Sequence, residues 1–291
     1  MGYPIIVQAI VSGLAQAAVY AVVAVGLTLT FGVMRVVNFA HGDFLMLAMY
    51  AGYFGWSLTG MDPAALVFLL MPLSIGVAYL FHKTVVLRLL KVTEVSQMAV
   101  TLGISLLLQN LALLAFTADN RMVNLERSLR SVKLAGASLQ LPQLVLGVAS
   151  LLVVGALYLL IRKTEFGLKL RAVSGSVEGA ILSGINVGRA YMVATCIGVG
   201  TLGVAGPLLA SSLYVNPYIG ILFTLKAFVI VIVGGLGSFE GALLGALLVG
   251  LTESVAGIWF PASVAAAIPF LILIVVLLVR PEGLLGREAA R

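Results

Sequence analysis

IIVQAIVSGLAQAAVYAVVAVGLTLTF, residues 5–31, runs from end to end without an Asp, Glu, Lys or Arg. At 1.5 Å per residue, a helix of that length more than covers the roughly 30 Å hydrocarbon core of a bilayer. No Lys or Arg precedes it, and it exceeds the apolar stretch of a secretory signal. It therefore reads as a first spanning helix kept in the mature chain. The remaining sequence has the same character. Hydrophobic residues make up 62% of the 291 and charged residues 10%, where a soluble domain carries about 25% charged. Lipid is the main solvent of this chain, and its 32 glycines suit helices whose backbones approach closely.

Working outward from 5–31, apolar runs continue at 42–58, 63–81, 96–116, 141–161, 190–213, 219–234, 241–258 and 263–279. The fold class is an all-α polytopic membrane protein with about nine spans, eight to ten because the last junctions are short and rich in Gly or Pro. Residues 1–291 read as one transmembrane domain. One set of junctions holds Arg35; Lys83, Arg88 and Lys91; Arg162, Lys163, Lys169, Arg171 and Arg189; and Arg280, Arg287 and Arg291. The other holds only Arg121, Arg127, Arg130 and Lys133. The basic side is expected to be cytoplasmic, with the N-terminus outside and the C-terminus inside. Trp56, Trp259, Tyr3, Tyr214 and Tyr218 all fall at the expected outer interface, where amphipathic rings sit. The net charge of +6 is thus a topology signal spread over loops, and no nucleic-acid partner is expected.

Two segments face water. Residues 117–140 form the one sizeable outer loop, mixing Asp119 and Glu126 with four basic residues. Residues 162–189 form the longest inner loop. Within it, SVEGAILSGI at 176–185 spaces Val177, Ala180, Ile181 and Ile185 as one face of a short amphipathic helix. Such a helix either lies on headgroups or docks a partner.

Catalytic patterns are missing. There is no G-x-x-x-x-G-K-[ST], H-E-x-x-H or G-x-S-x-G, the histidines His41 and His82 are far apart, and the single Cys196 lies in an apolar run. No enzyme, metal site or cofactor is expected. Polar residues within the apolar runs carry the functional signal instead. In GVMRVVNFAHGDF, 32–44, Arg35, Asn38, His41 and Asp43 interrupt two spans without forming a real loop. This is either a water-lined or protein-buried break at membrane depth, or a cytoplasmic turn with Asp43 at a helix N-terminus. In VGGLGSFEGALLG, 233–245, Gly234, Gly235 and Gly237 break a helix, and Ser238 or Glu240 favours the start of the next. Phe39–Gly42 and Phe239–Gly241 echo one another faintly, as broken elements of transporter halves do. On the fourth span, Gln97, Thr101, Ser105 and Gln109 share a face, and Asn110 adjoins it. That face either lines a solute path or bonds neighbouring helices. Lys226 and Glu253 lie at matching depth on antiparallel spans and are expected to pair.

Three of these stretches also carry a family resemblance. GLTLTFGVMRVVNFAHGDFLMLAMY at 26–50 and KAFVIVIVGGLGSFEGALLGALLVGLTES at 226–254 resemble the N- and C-terminal signatures of branched-chain amino-acid ABC transporter permeases. EFGLKLRAVSGSVEGAILSGINV at 165–187 is similar to their ATPase-docking cytoplasmic loop. The resemblance implies a permease in the bacterial inner membrane that moves leucine, isoleucine and valine by alternating access, with the importer fold of the vitamin B12 and ribose permeases. It implies a second related permease, two ATPase subunits that hydrolyse the ATP, and an external solute-binding protein received by 117–140. It assigns coupling to Arg171, Glu178, Gly179, Ile181, Gly184 and Ile185; the chain departs from the family in Ser174-Gly175-Ser176, a flexible start where the coupling helix of the family is more polar. The path in this reading draws on Asn38, His41, Gly42, Gln97, Thr101, Gln109, Gly235, Gly237 and Glu240. Relatives acting on urea, amides or aromatic acids keep the solute open. A secondary transporter with Lys226 or Glu253 as relay, or a structural membrane subunit, would lack such a coupling loop.

Overall fold

A computed structural model of the chain describes residues 3–125, 130–134 and 136–286. Glu126, Arg127, Arg287 and Arg291 lie outside the described residues. The elements in order are α1 (Tyr3–Met34), α2 (His41–Thr59), α3 (Pro63–Phe81), a π-helical turn His82–Val86 running into α4 (Leu87–Leu89), and α5 (Glu94–Phe116). The strands β1 (Ser131–Leu134) and β2 (Ala137–Gln140) lead into α6 (Leu141–Lys163), α7 (Glu165–Gly175) and α8 (Val177–Leu182). Then come α9 (Val187–Gly200), α10 (Leu202–Leu209), α11 (Ile219–Gly234), α12 (Phe239–Ala256), α13 (Ala262–Ala265) and α14 (Ile268–Val279).

All nine apolar runs are helical. Among the described residues, seven helical stretches are long and apolar enough to cross a bilayer by themselves. Two expected spans fall outside that set. The 16-residue α11 is short, and the 19-residue α2 carries His41, Asp43 and several small or aromatic residues. Both are largely enclosed by protein, so neither needs a lipid-compatible surface all round. The span at 187–209 is divided at Thr201 between α9 and α10, with Pro207 inside the second piece. The last span opens with the single turn of α13 before α14.

Local chemistry sets the corners. Gly60 ends α2 in the left-handed conformation (φ 71°) and donates its N–H to Trp56 O. Asp62 then caps α3 by accepting from Ala64 N, with Pro63 in the first turn. Thr93 and Ser238 cap α5 and α12 in the same way. The long α1 is the axis of the bundle, flanked by α12, α6, α9 and α11.

The segment expected as an outer loop is partly ordered into an antiparallel hairpin, with Val132 opposite Leu139. Gln8 of α1 grips it: its side-chain amide donates to Ser138 O at 2.9 Å and accepts from Ser138 N at 2.7 Å. Nearby, Arg121 and Val215 exchange backbone hydrogen bonds of 2.9 and 2.6 Å. At the opposite end, residues 280–286 return to the end of α11, where Leu284 N and Leu285 N donate to Val233 O and Gly234 O.

Candidate functional site

After α1, Arg35 turns the chain with a positive φ of 54°, and residues 36–40 run back into the bundle without helical structure. His41 Nε2 meets Val23 O at 3.1 Å. Val23 lies eleven residues before the end of α1, so α2 starts about 16 Å inside that end at 1.5 Å per residue. Non-helical backbone at that depth survives only where protein or water satisfies it. Here protein does: Val36, Asn38 and Ala40 are buried. Asn38 Oδ1 accepts from Ala40 N at 3.1 Å, and Val37 O faces Thr101 Oγ1 at 3.1 Å.

α2 is seated against α11 with no room to spare. A Cβ on Gly42 would lie 2.0 Å from Gly220 O and 2.4 Å from Thr224 Oγ1, so only glycine fits. Gly42 N donates to Thr224 Oγ1 at 2.9 Å. The first acidic residue of α2, Asp43, is then fully buried in the bundle.

The opposite wall is α5. Gln97, Thr101, Ser105, Gln109 and Ala112 are its buried residues, one stripe along a helix whose other sides are open. Gln109 Nε2 donates to Ser105 Oγ at 3.0 Å and to Asp43 Oδ1 at 3.1 Å. Gln97 Nε2 donates to Leu89 O at 3.1 Å. Above Gln109, Tyr50 stacks on Phe116 with ring centroids 4.4 Å apart. The stripe therefore bonds its neighbours in this conformation, Gln109 reaching α2, Thr101 the 35–40 break and Gln97 the end of α4, a polar seam along the buried face of α5. Asn38, Thr101, Thr30 and Thr195 border a void of about 10 Å³ there, the scale of one water molecule.

The structure brings Asn38, His41, Gly42, Gln97, Thr101 and Gln109 into this one region. It does not bring Gly235, Gly237 and Glu240 there. Gly235 (φ 107°) lies under Gly286 of the returning C-terminal segment, and Gly237 (φ 80°) abuts Gly32. Glu240 accepts from Arg162 Nε at 2.9 Å at the exposed junction of α6 and α12. Glycines that break the chain at a helix end serve its turn there, whereas the break at 35–40 is folded inward.

The segment expected as the inner loop, 162–189, holds two helices, α7 and α8, where one was expected. Ser174-Gly175-Ser176 is a built corner and not a flexible start. Ser174 Oγ donates to Gly32 O at 2.6 Å, and Ser176 Oγ accepts from Gly179 N at 3.1 Å as the cap of α8. Arg171 donates to Ile161 O, while Glu178 and Gly179 are exposed on α8. Gly184 (φ 74°) turns the chain after α8, leaving Ile185 beyond the helix. Of the expected apolar face only Ala180 is buried, and Ile181 and its neighbour Leu182 are exposed by 58% and 90%. Residues 32–35, the 173–178 corner and Tyr191 together line a cleft of about 300 Å³ beside the Ser174–Gly32 hydrogen bond.

Lys226 Nζ lies 2.6 Å from Glu253 Oε1, bridging α11 and α12. The sequence reading missed their third partner: Tyr20 of α1 donates to Glu253 Oε2 at 2.8 Å and faces Lys226 Nζ at 2.6 Å, with Gln16 Nε2 2.6 Å from the same hydroxyl. It also gave Asp43 no place in the site, although an ionisable residue inside a span was signal enough. Among the described residues, no group of three His, Cys, Asp or Glu side chains could hold a metal.

Residues 9–277 match the family described as "Branched-chain amino acid transport system / permease component". The chain belongs to this family. It is 29% identical to the high-affinity branched-chain amino acid transport system permease protein LivH of Escherichia coli K12, over 96% of this chain and 95% of that protein. Salmonella typhimurium LivH is 30% identical and the Pseudomonas aeruginosa permease protein BraD 29%, each at the same coverage. No solved structure matches. The chain is thus a polytopic, mostly helical permease component of the membrane.

Proposed function

We propose that this permease carries leucine, isoleucine and valine across the bacterial inner membrane by alternating access, as one subunit of an ATP-binding-cassette importer. The observation that carries the reading is the polar seam on the buried face of α5, where amide, hydroxyl and carboxyl groups meet the non-helical 35–40 segment and Asp43 of α2 inside a bundle of apolar helices. Transporters keep broken backbone and polar groups at such depth where a solute passes. The rest of the reading assigns 1–291 to one transmembrane domain, with the α7–α8 end in the cytoplasm and the hairpin end outside. The concentration of Arg and Lys at the α7–α8 end supports that orientation. α8 meets an ATPase through Ile181 and Leu182, and ATP is hydrolysed on that separate chain. A second permease subunit completes the membrane unit, and the segment around 117–140 receives the solute-binding protein. Labelled-leucine uptake by cells with and without this chain tests the function. An ATP-dependent flux competed by excess valine should vanish on deletion, and an undiminished leucine flux refutes the assignment.

A further inference from the structure

We propose that Asp43 is the ligand of the permease for the α-ammonium group of the amino acid it carries. The inference rests on the function proposed above and names the recognition chemistry at the seam.

Asp43 is fully buried, yet it is under-bonded for a carboxyl group at this depth. Oδ1 accepts from Gln109 Nε2 at 3.1 Å and the Ser105 hydroxyl also interacts with the carboxyl group, so its partners are neutral, while buried Oδ2 has none within hydrogen-bond geometry among the described residues. No Lys or Arg among them forms an ion pair with it, and the nearby His41 ring is turned to Val23 O. A carboxyl oxygen left unpaired inside a span is costly, and a cation brought to it would relieve that cost. The other intramembrane acid, Glu253, has both oxygens occupied by Lys226 and Tyr20, so of the two only Asp43 lacks a cationic partner among the described residues.

Geometry also supplies an entry. On the α11 side Asp43 lies beside the Gly42–Gly220 contact, where the backbones approach too closely to admit even a Cβ. On the other side it is covered by α5, which is held mainly by the polar stripe and whose only fully buried apolar residue is Ala112. A seam of amides and hydroxyls opens at low cost when water enters, because each group exchanges one partner for another. Moving α5 away uncovers Asp43 together with Gln109 and Ser105. An arriving ammonium would then find a carboxylate and two neutral polar groups to replace part of its hydration shell.

The test compares labelled-leucine uptake by the intact transporter, with its own binding protein, for wild type and Asp43→Asn. Asn keeps the size of the side chain and an oxygen to accept from Gln109, so a purely structural Asp43 predicts equal flux. The proposal predicts uptake lower by about tenfold or more, the scale of one lost charged hydrogen bond, with unchanged abundance in the membrane and preserved ATP hydrolysis. Equal flux overturns it. Wild-type uptake that collapses on removing sodium or the proton gradient at constant ATP also overturns it, assigning Asp43 to an inorganic cation. Should Asp43→Asn fail to accumulate, Gln109→Cys in a Cys196→Ala background replaces it. Leucine should slow labelling of that cysteine by a cationic thiol reagent during turnover, and labelling indifferent to leucine refutes the site. Absence of wild-type leucine flux would instead sink the proposed function itself.

Discussion

Removing one charge from the Lys226–Glu253–Tyr20 network should cost far more than removing both. The side chains of Lys226 and Glu253 are only 18% and 12% exposed and their charged atoms are 2.6 Å apart. At an effective dielectric near 20 the gross attraction is on the order of 6 kcal/mol, much of it offset by the loss of hydration. Glu253→Gln leaves the ammonium facing the Tyr20 hydroxyl and no counter-charge, and that change should cost about 3 kcal/mol. Lys226→Met strands the carboxylate and should cost a similar amount. The double variant Lys226→Met, Glu253→Gln strands neither, and should fall within about 1 kcal/mol of wild type, because a buried pair can be exchanged for neutral side chains at little net cost. Reversible unfolding of the purified protein in mixed micelles, run as a double-mutant cycle, reads the coupling directly. Additive losses, with the double variant the least stable of all, would refute the view that α1, α11 and α12 are pinned here by mutual neutralisation.

Two further outcomes follow from the packing. Gly179→Arg places its Cβ 3.3 Å from Ser176 Oγ, a contact α8 can absorb; the protein should accumulate normally while leucine uptake falls about tenfold, the factor for ~1.4 kcal/mol at a docking face. Unchanged uptake would count against α8 as the ATPase contact. Gly42→Ala drives a methyl to 2.0 Å from Gly220 O and should destabilise by about 3 kcal/mol, at the upper end of overpacking costs. A thermal midpoint equal to that of wild type would show that α2 and α11 are not in rigid contact.

Span positions were legible in the sequence because each is a local property of hydropathy, and the meeting of Lys226 with Glu253 followed from equal depth on adjacent antiparallel helices. What was not legible depends on where backbone goes between spans. Residues 32–44 and 233–245 look alike as Gly-containing breaks, but one folds inward against Val23 and the other turns at the surface under Gly286. Nothing local separates them; the difference is set by Gly42 meeting Gly220, a contact between residues far apart in the chain. Tyr20 escaped notice for the same reason, being an ordinary residue of α1 until Glu253 is brought alongside. α7 escaped because its helical signal sits in a charged stretch read only as loop.

The distribution of close contacts argues for where this permease moves. α1 is locked to α9 through Gly26 and Gly198, where a Cβ on either would lie within 2.7 Å of the opposing carbonyl oxygen. α12 is locked to α1 at Gly250 and Ala17, and α2 to α10 at Gly52 and Pro207, with similar clearances. Backbones this close share large van der Waals contact and no slack, so these helices move together or not at all. α5 has no such contact: Gly103 faces open space, and the helix is attached by hydrogen-bonding side chains along one stripe. In lipid those bonds have no substitute and the seam stays shut. Once water reaches it, they have one. A solute path that closes in lipid and opens with hydration therefore needs a polar seam at its moving edge and small-residue contacts elsewhere, and α5 against α2 is the one boundary in the described bundle built that way.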